Sequence, residues 1–209
     1  MANKTESDLP INKPCESGKG KVRDRIFEAA CELFYQQGIR CVGIDAIVNA
    51  AGTNKMSFYR SFASKDELVA AYLRERACKH WELWDATIAP FAGSPLRQIL
   101  ALFEMQVLKA KESDSCGCGF VNTAVELRNM EHPAREIIHV AKAEMRRRLR
   151  KLAKEAGART PDVLGDALTL LAEGGAMSSI SFSREENPIS NVTKIVKKLL
   201  EAYIPKTTD

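Results

Sequence analysis

This 209-residue chain has no long apolar run. Its longest stretches free of Asp, Glu, Lys and Arg are eleven residues, Ala86 to Leu96 and Ser115 to Val125, whereas crossing a bilayer takes about 18–20 mostly apolar residues. No transmembrane helix is expected. The opening segment, MANKTESDLPINKPCESGKG, is polar, broken by Pro10 and Pro14, and lacks the apolar centre of a secretory signal. Residues 1–18 therefore read as a disordered arm, and the protein as cytoplasmic. A disulfide framework is also missing: Cys31, Cys41 and Cys78 stand singly inside apolar patterns and Cys15 lies in the arm, which points to a reducing compartment. Catalytic signatures are lacking too. There is no glycine-rich phosphate loop, no Gly-x-Ser-x-Gly elbow, no His-Glu-x-x-His pair and no Ser/His/Asp or Cys/His set, and Asp45, Asp66 and Glu67 are accounted for by helix starts. No enzyme, resident metal or cofactor is expected.

What is present is helical periodicity. Val22, Ile26, Ala29/Ala30 and Leu33/Phe34 form one stripe; Ile137/Ile138, Ala141, Met145, Leu149 and Leu152 a second; Val192, Ile195/Val196, Leu199/Leu200 and Tyr203 a third. Alternating strand-like runs are absent, so the fold class is all-α. Helices are expected near 21–37, 44–51, 54–62, 65–88, 95–111, 118–129, 133–156, 161–184 and 188–204. Three begin at a capping residue followed by proline, Ser94-Pro95, Thr160-Pro161 and Asn187-Pro188. Ser64 and Glu67 form a capping box for the fourth. Net charge is +4, and residues 19–65 carry eight basic side chains against four acidic ones, so a polyanion meets its main positive field there. Within that quarter, two short helices, Ile44–Ala51 and Asn54–Phe62, are joined through Gly52 and Thr53 as in a helix-turn-helix. Ile44, Ile47, Val48 and Ala51, with Phe58 and Phe62, face a core; Lys55, Met56, Ser57, Tyr59 and Arg60 are left outward, a set suited to phosphates and base edges.

The run FEAACELFYQQGIRCVGIDAIVNAAGTNKMSFYRSFASKDEL, Phe27 to Leu68, closely resembles the DNA-binding domain of the tetracycline-repressor (TetR) family of bacterial transcription regulators. Ala30, Leu33-Phe34, Gly38, Ile47, Ala51-Gly52, Phe58-Tyr59, Phe62, Lys65 and Leu68 occupy the family's places. The resemblance implies a helix-turn-helix domain at 19–66, with the motif at about 44–63, and a helical effector-binding and dimerisation domain at 67–209. It implies a homodimer on a pseudo-palindromic double-stranded operator, in a bacterial cytoplasm, most simply as a repressor released by a small molecule. Carried over residue by residue, Lys55 and Met56 fall where base edges are read, and Tyr59 and Lys65 where phosphates are gripped. Thr53, Asn54, Ser57 and Arg60 are further backbone contacts, and Lys21 and Arg23 reach neighbouring phosphates or the minor groove. Two positions depart from the pattern: Gly43 replaces a capping Ser or Thr, at about 1 kcal/mol, and Ser61 stands where His is common.

A recognition helix alone binds weakly, so paired helices about 34 Å apart are expected. Leu164, Ala167, Leu168, Leu171 and Ala172, with Val192, Ile195, Val196, Leu199, Leu200 and Tyr203, offer stripes for a four-helix interface, and equally for a core within one subunit. Ligand candidates in the middle helices are Trp81, Trp84, Phe103, Gln106, Phe120, Asn122, Glu126 and His139, each of which also reads as core; an apolar or aromatic effector is expected. Cys116-Gly117-Cys118-Gly119 admits a redox or soft-metal sensor or a plain helix-entry turn. The run Arg146-Arg147-Arg148-Leu149-Arg150-Lys151 reads as a solvated basic face. A helical module that binds only protein is the alternative, distinguished by the absence of salt-dependent DNA affinity.

Overall fold

The computed structural model describes residues 20–112, 116–127, 129 and 131–205. The expected arm, 1–18, lies outside them, as does residue 128 of the sixth expected helix. Among the described residues the chain is helical, without strands: α1 (Lys21–Gln37), α2 (Ile44–Ala50), α3 (Lys55–Ser61), α4 (Lys65–Ile88), α5 (Pro95–Ala110), α6 (Gly119–Glu126), α7 (Pro133–Glu155), α8 (Pro161–Ser181) and α9 (Val192–Tyr203). Short 3-10 turns lie at Ala89–Phe91 and Pro188–Asn191. No described helix is long and apolar enough to cross a membrane. The helices form two compact units, one from residues up to His80 with Gly119–Ala141, the other from Trp81–Cys118 with residues from Lys142 onward.

In the first unit α1 packs on α2 and α3, and α2 on α3. Ile26, Ala30, Phe34, Ile47, Phe58, Phe62 and Leu68 are buried together with Tyr72, whose ring meets Phe34 edge-on at 5.7 Å. Gly38 closes α1 with φ +82° and its N–H on the Phe34 carbonyl. Gly52, at φ +60°, turns α2 into α3, its N–H on Asn49 and the Thr53 N–H on Val48; glycine takes this conformation without strain. The capping box is formed: Ser64 Oγ accepts the Glu67 N–H at 3.1 Å, and Glu67 reaches back to the Ala63 N–H at 2.6 Å. Buried His132 accepts the Ala134 N–H on Nδ1, and its Nε2 lies 3.3 Å from Asp66.

In the second unit α5 packs on α8 and α9, and α8 on α9, around Ile99, Phe103, Leu149, Leu164, Leu168, Val196 and Leu200. Helices α5 and α8 begin at the expected prolines, but Ser94 and Thr160 make no side-chain cap bond. Only Asn187 caps as expected, on the Ile189 N–H at 3.0 Å, and it opens a 3-10 turn, so α9 starts four residues later than its proline. The basic run is solvent-exposed at Arg146, Arg147 and Lys151, and it is also ion-paired. Arg146 and Arg150 each grip Asp166 of α8 through two 2.7 Å bonds, and Arg147 and Arg148 hold Glu144. Arg148 also pairs with Asp85 and lies over the Trp81 ring. The two guanidiniums hold the Asp166 carboxyl well below the carboxylate range.

Candidate nucleic-acid interface

Helix α3 is short, and its orientation comes from two buried rings. Phe58 and Phe62 point inward, 6.0 Å apart, and Asn54 caps the helix by accepting the Ser57 N–H at 3.0 Å. That geometry turns Lys55, Met56, Tyr59 and Arg60 to solvent. Met56 is 72% exposed and Tyr59 56%, yet the Tyr59 ring stands edge-on against Phe58 at 5.4 Å, so its hydroxyl projects from an anchored ring.

The electrostatics of this face were not legible residue by residue. The Lys55 ammonium lies 2.9 Å from Asp45 at the start of α2, and that hydrogen bond raises its pKa. Asp45, which sequence reasoning assigned only to a helix start, thus orients the candidate base-reading lysine. Its first-turn position was the one available signal, since ten residues separate the pair across the turn. Lys65 is half-buried at the start of α4, where burial lowers its pKa against the opposing pull of Asp66 and Glu126. Arg23 lies within the first turn of α1, its guanidinium 4.6 Å from the Phe62 ring centre; Lys21 is exposed beside it. Thr53 and Ser57 are half-buried at the turn and on α3. Arg60 approaches Ser57 Oγ at 3.5 Å.

The ligand candidates divide between the units. Trp81, Trp84 and Phe103 are buried in the second, the indole rings 5.7 Å apart edge to face, and Gln106 donates to the Ala172 carbonyl of α8 at 2.6 Å. Phe120 and Asn122 lie on α6 in the first unit, buried and half-buried, and His139 is exposed on α7. Glu126 has a different partner from the one expected: it accepts the Arg40 N–H at 2.7 Å and so holds the turn between α1 and α2. Among the expected interface residues, Leu164, Leu168, Val192, Val196 and Leu200 are buried within their own unit. Ala167, Leu171, Ala172, Leu199 and Tyr203 are half-buried, and Ile195 is exposed. The bare large apolar side chains of α8 are instead Val163, Leu170 and Ile180.

A buried three-helix core that displays α3 with a cation, a hydroxyl and a bare methionine defines a helix-turn-helix regulator. Residues 26–72 match the model of the bacterial regulatory proteins of the tetR family. Over 116 residues the chain is 24% identical to the HTH-type transcriptional regulator TcmR of Streptomyces glaucescens; the match covers 52% of this chain and 50% of TcmR, about half that relative's length. Its fold matches a protein of Streptomyces avermitilis described as a TetR transcriptional regulator, with TM-score 0.74 and 32% identity, over 87% of this chain and 97% of that one. A transcriptional regulator from Saccharomonospora viridis, solved in complex with choline, matches with TM-score 0.77 and 16% identity, over 90% and 100%. The chain belongs to the TetR family of bacterial regulatory proteins.

Proposed function

We propose that this protein is a cytoplasmic, homodimeric repressor that leaves a pseudo-palindromic operator when a small molecule binds its larger helical domain, acting by binding rather than catalysis. The observation that carries the reading is the solvent face of α3, where Lys55, Met56, Tyr59 and Arg60 stand out from a helix fixed by Phe58 and Phe62. Lys55 donates to guanine O6 and N7, Met56 packs on base edges, and Tyr59 bonds a phosphate. Two such helices reading successive major grooves require a dimer, for which the exposed Leu170 and Val163 of α8 and Ile195 of α9 supply apolar surface. The choline held by the Saccharomonospora viridis neighbour supports a small-molecule effector here. A ligand that binds the two dimer geometries unequally shifts the spacing of the recognition helices.

Selection of bound duplexes from a random DNA library, read by sequencing, tests this. An enriched inverted repeat that disappears with Lys55→Ala/Tyr59→Ala is the expected result. No enrichment at low salt overturns the reading in favour of a helical protein-binding module.

A further inference from the structure

The segment Cys116-Gly117-Cys118 runs directly into α6. Gly117 has φ +77°, and a Cβ there would lie 3.2 Å from Ile180 and 3.3 Å from the Ala176 carbonyl. The turn between the two cysteines is therefore seated against α8 and suits only glycine. Both sulfurs are half-buried thiols. Lys142 of α7 donates to Cys118 Sγ over 3.5 Å and to Glu173 Oε1 over 2.6 Å, the lysine and glutamate side chains being 27% and 31% exposed. Partly exposed sulfur held beside a cation is the setting in which nucleophilic cysteines occur. Glu173 offsets part of that charge but fixes the ammonium in place. The second thiol supplies a resolving partner: residues two apart have Cα atoms within about 7 Å, which overlaps the roughly 4.4–6.8 Å span of disulfides.

We propose that Cys116 and Cys118 form a dithiol site oxidised by hydroperoxides, with Cys118 as the attacking sulfur, Lys142 as its positioning cation and Cys116 as the resolving thiol. The Cys118 sulfur attacks the peroxide, an S–O bond forms, the O–O bond breaks and the alcohol or water leaves, so sulfur is oxidised by two electrons and peroxide reduced. Cys116 then attacks the sulfenic sulfur; the S–S bond forms, the S–O bond breaks, and hydroxide departs with the Cys116 proton as water. The sum is two thiols and one hydroperoxide giving one disulfide, one alcohol and one water. One peptide bond joins Cys118 to α6, whose other end holds the Arg40 amide through Glu126, so bridging the turn perturbs the start of a helix that supports the α1–α2 turn. That consequence for DNA affinity rests on the proposed operator reading; the oxidation chemistry does not.

The test treats the reduced full-length protein with hydrogen peroxide, blocks remaining thiols with iodoacetamide and maps tryptic peptides. Peptide 112–128 holds both cysteines and no other. The expected product is that peptide short of two hydrogens and unalkylated, while Cys31, Cys41 and Cys78 still alkylate. Lys142→Met should oxidise about tenfold more slowly and Lys142→Arg near the native rate, and Cys116→Ser should stop at a sulfenic acid that dimedone traps on Cys118. Lys142→Gln, which keeps a donor without charge, replaces the methionine variant should that fail to fold. Equal oxidation of all cysteines, a bridge from this peptide to another, or a native rate in the uncharged variant overturns the proposal. Oxidation as described in a protein that binds no DNA in either state supports the site and refutes the operator reading.

Discussion

Replacing Gly38 by alanine should destabilise the helix-turn-helix through two linked effects. The residue sits at φ +82° and ψ 158°, a region that is essentially glycine's alone and costs other residues about 1–3 kcal/mol. The new Cβ would also lie 2.6 Å from Glu126 Oε1. The carboxylate is the free end of a flexible side chain and can swing away, but only by releasing the exposed Arg40 N–H it accepts at 2.7 Å, a bond of about 1 kcal/mol net. Gly38→Ala should therefore cost about 2–4 kcal/mol, a fall in Tm on the order of 10 °C for a chain of this size. Glu126→Ala alone loses only the bond, about 1 kcal/mol. Because both variants break the same bond, the double variant should cost no more than Gly38→Ala, leaving a coupling of about 1 kcal/mol in a double-mutant cycle. Urea titrations of the four proteins, with hydrogen exchange at the Arg40 amide, measure it. Additive costs, or an Arg40 amide that exchanges equally fast in all four proteins, would refute the clamp.

The remaining predictions concern DNA, assembly and pH. Lys55→Ala should flatten discrimination between operator and random duplex, whereas Tyr59→Phe should weaken both alike; binding isotherms on the two DNAs decide. Asp45→Asn, by releasing Lys55 from its 2.9 Å ion pair, should strengthen binding to the operator, as isotherms on the same two DNAs would show. Leu170→Glu places a charge on a leucine 72% exposed in one chain, so sedimentation should show monomers with unchanged helix content, and a persisting dimer would move the interface elsewhere. Burial pushes the Cys31 thiol up to about 11, so its folded pKa exceeds its unfolded one. The stability this contributes is complete below about pH 9 and is lost as pH rises towards 11, about 2–3 kcal/mol in all. Denaturation midpoints should fall across that window in the native protein, less so in Cys31→Ala.

Much of this molecule is local, and local order is written in the chain. A 3.6-residue apolar period, prolines at helix starts, the Ser64–Glu67 box and glycines at Gly38 and Gly52 each act over four residues or fewer, so helix positions and the display of Tyr59 and Met56 on α3 follow from sequence alone. Tertiary packing decided the rest. Helix α8 carries apolar residues around much of its circumference, so only its contact with α5 and α9 showed that Leu164 and Leu168 face the core while Val163 and Leu170 face out. Polar contacts such as Lys55 with Asp45, Glu126 with the Arg40 amide and Lys142 with Cys118 join residues 10, 86 and 24 positions apart. Periodicity carries no information on such distances, because they are fixed by where whole helices come to rest.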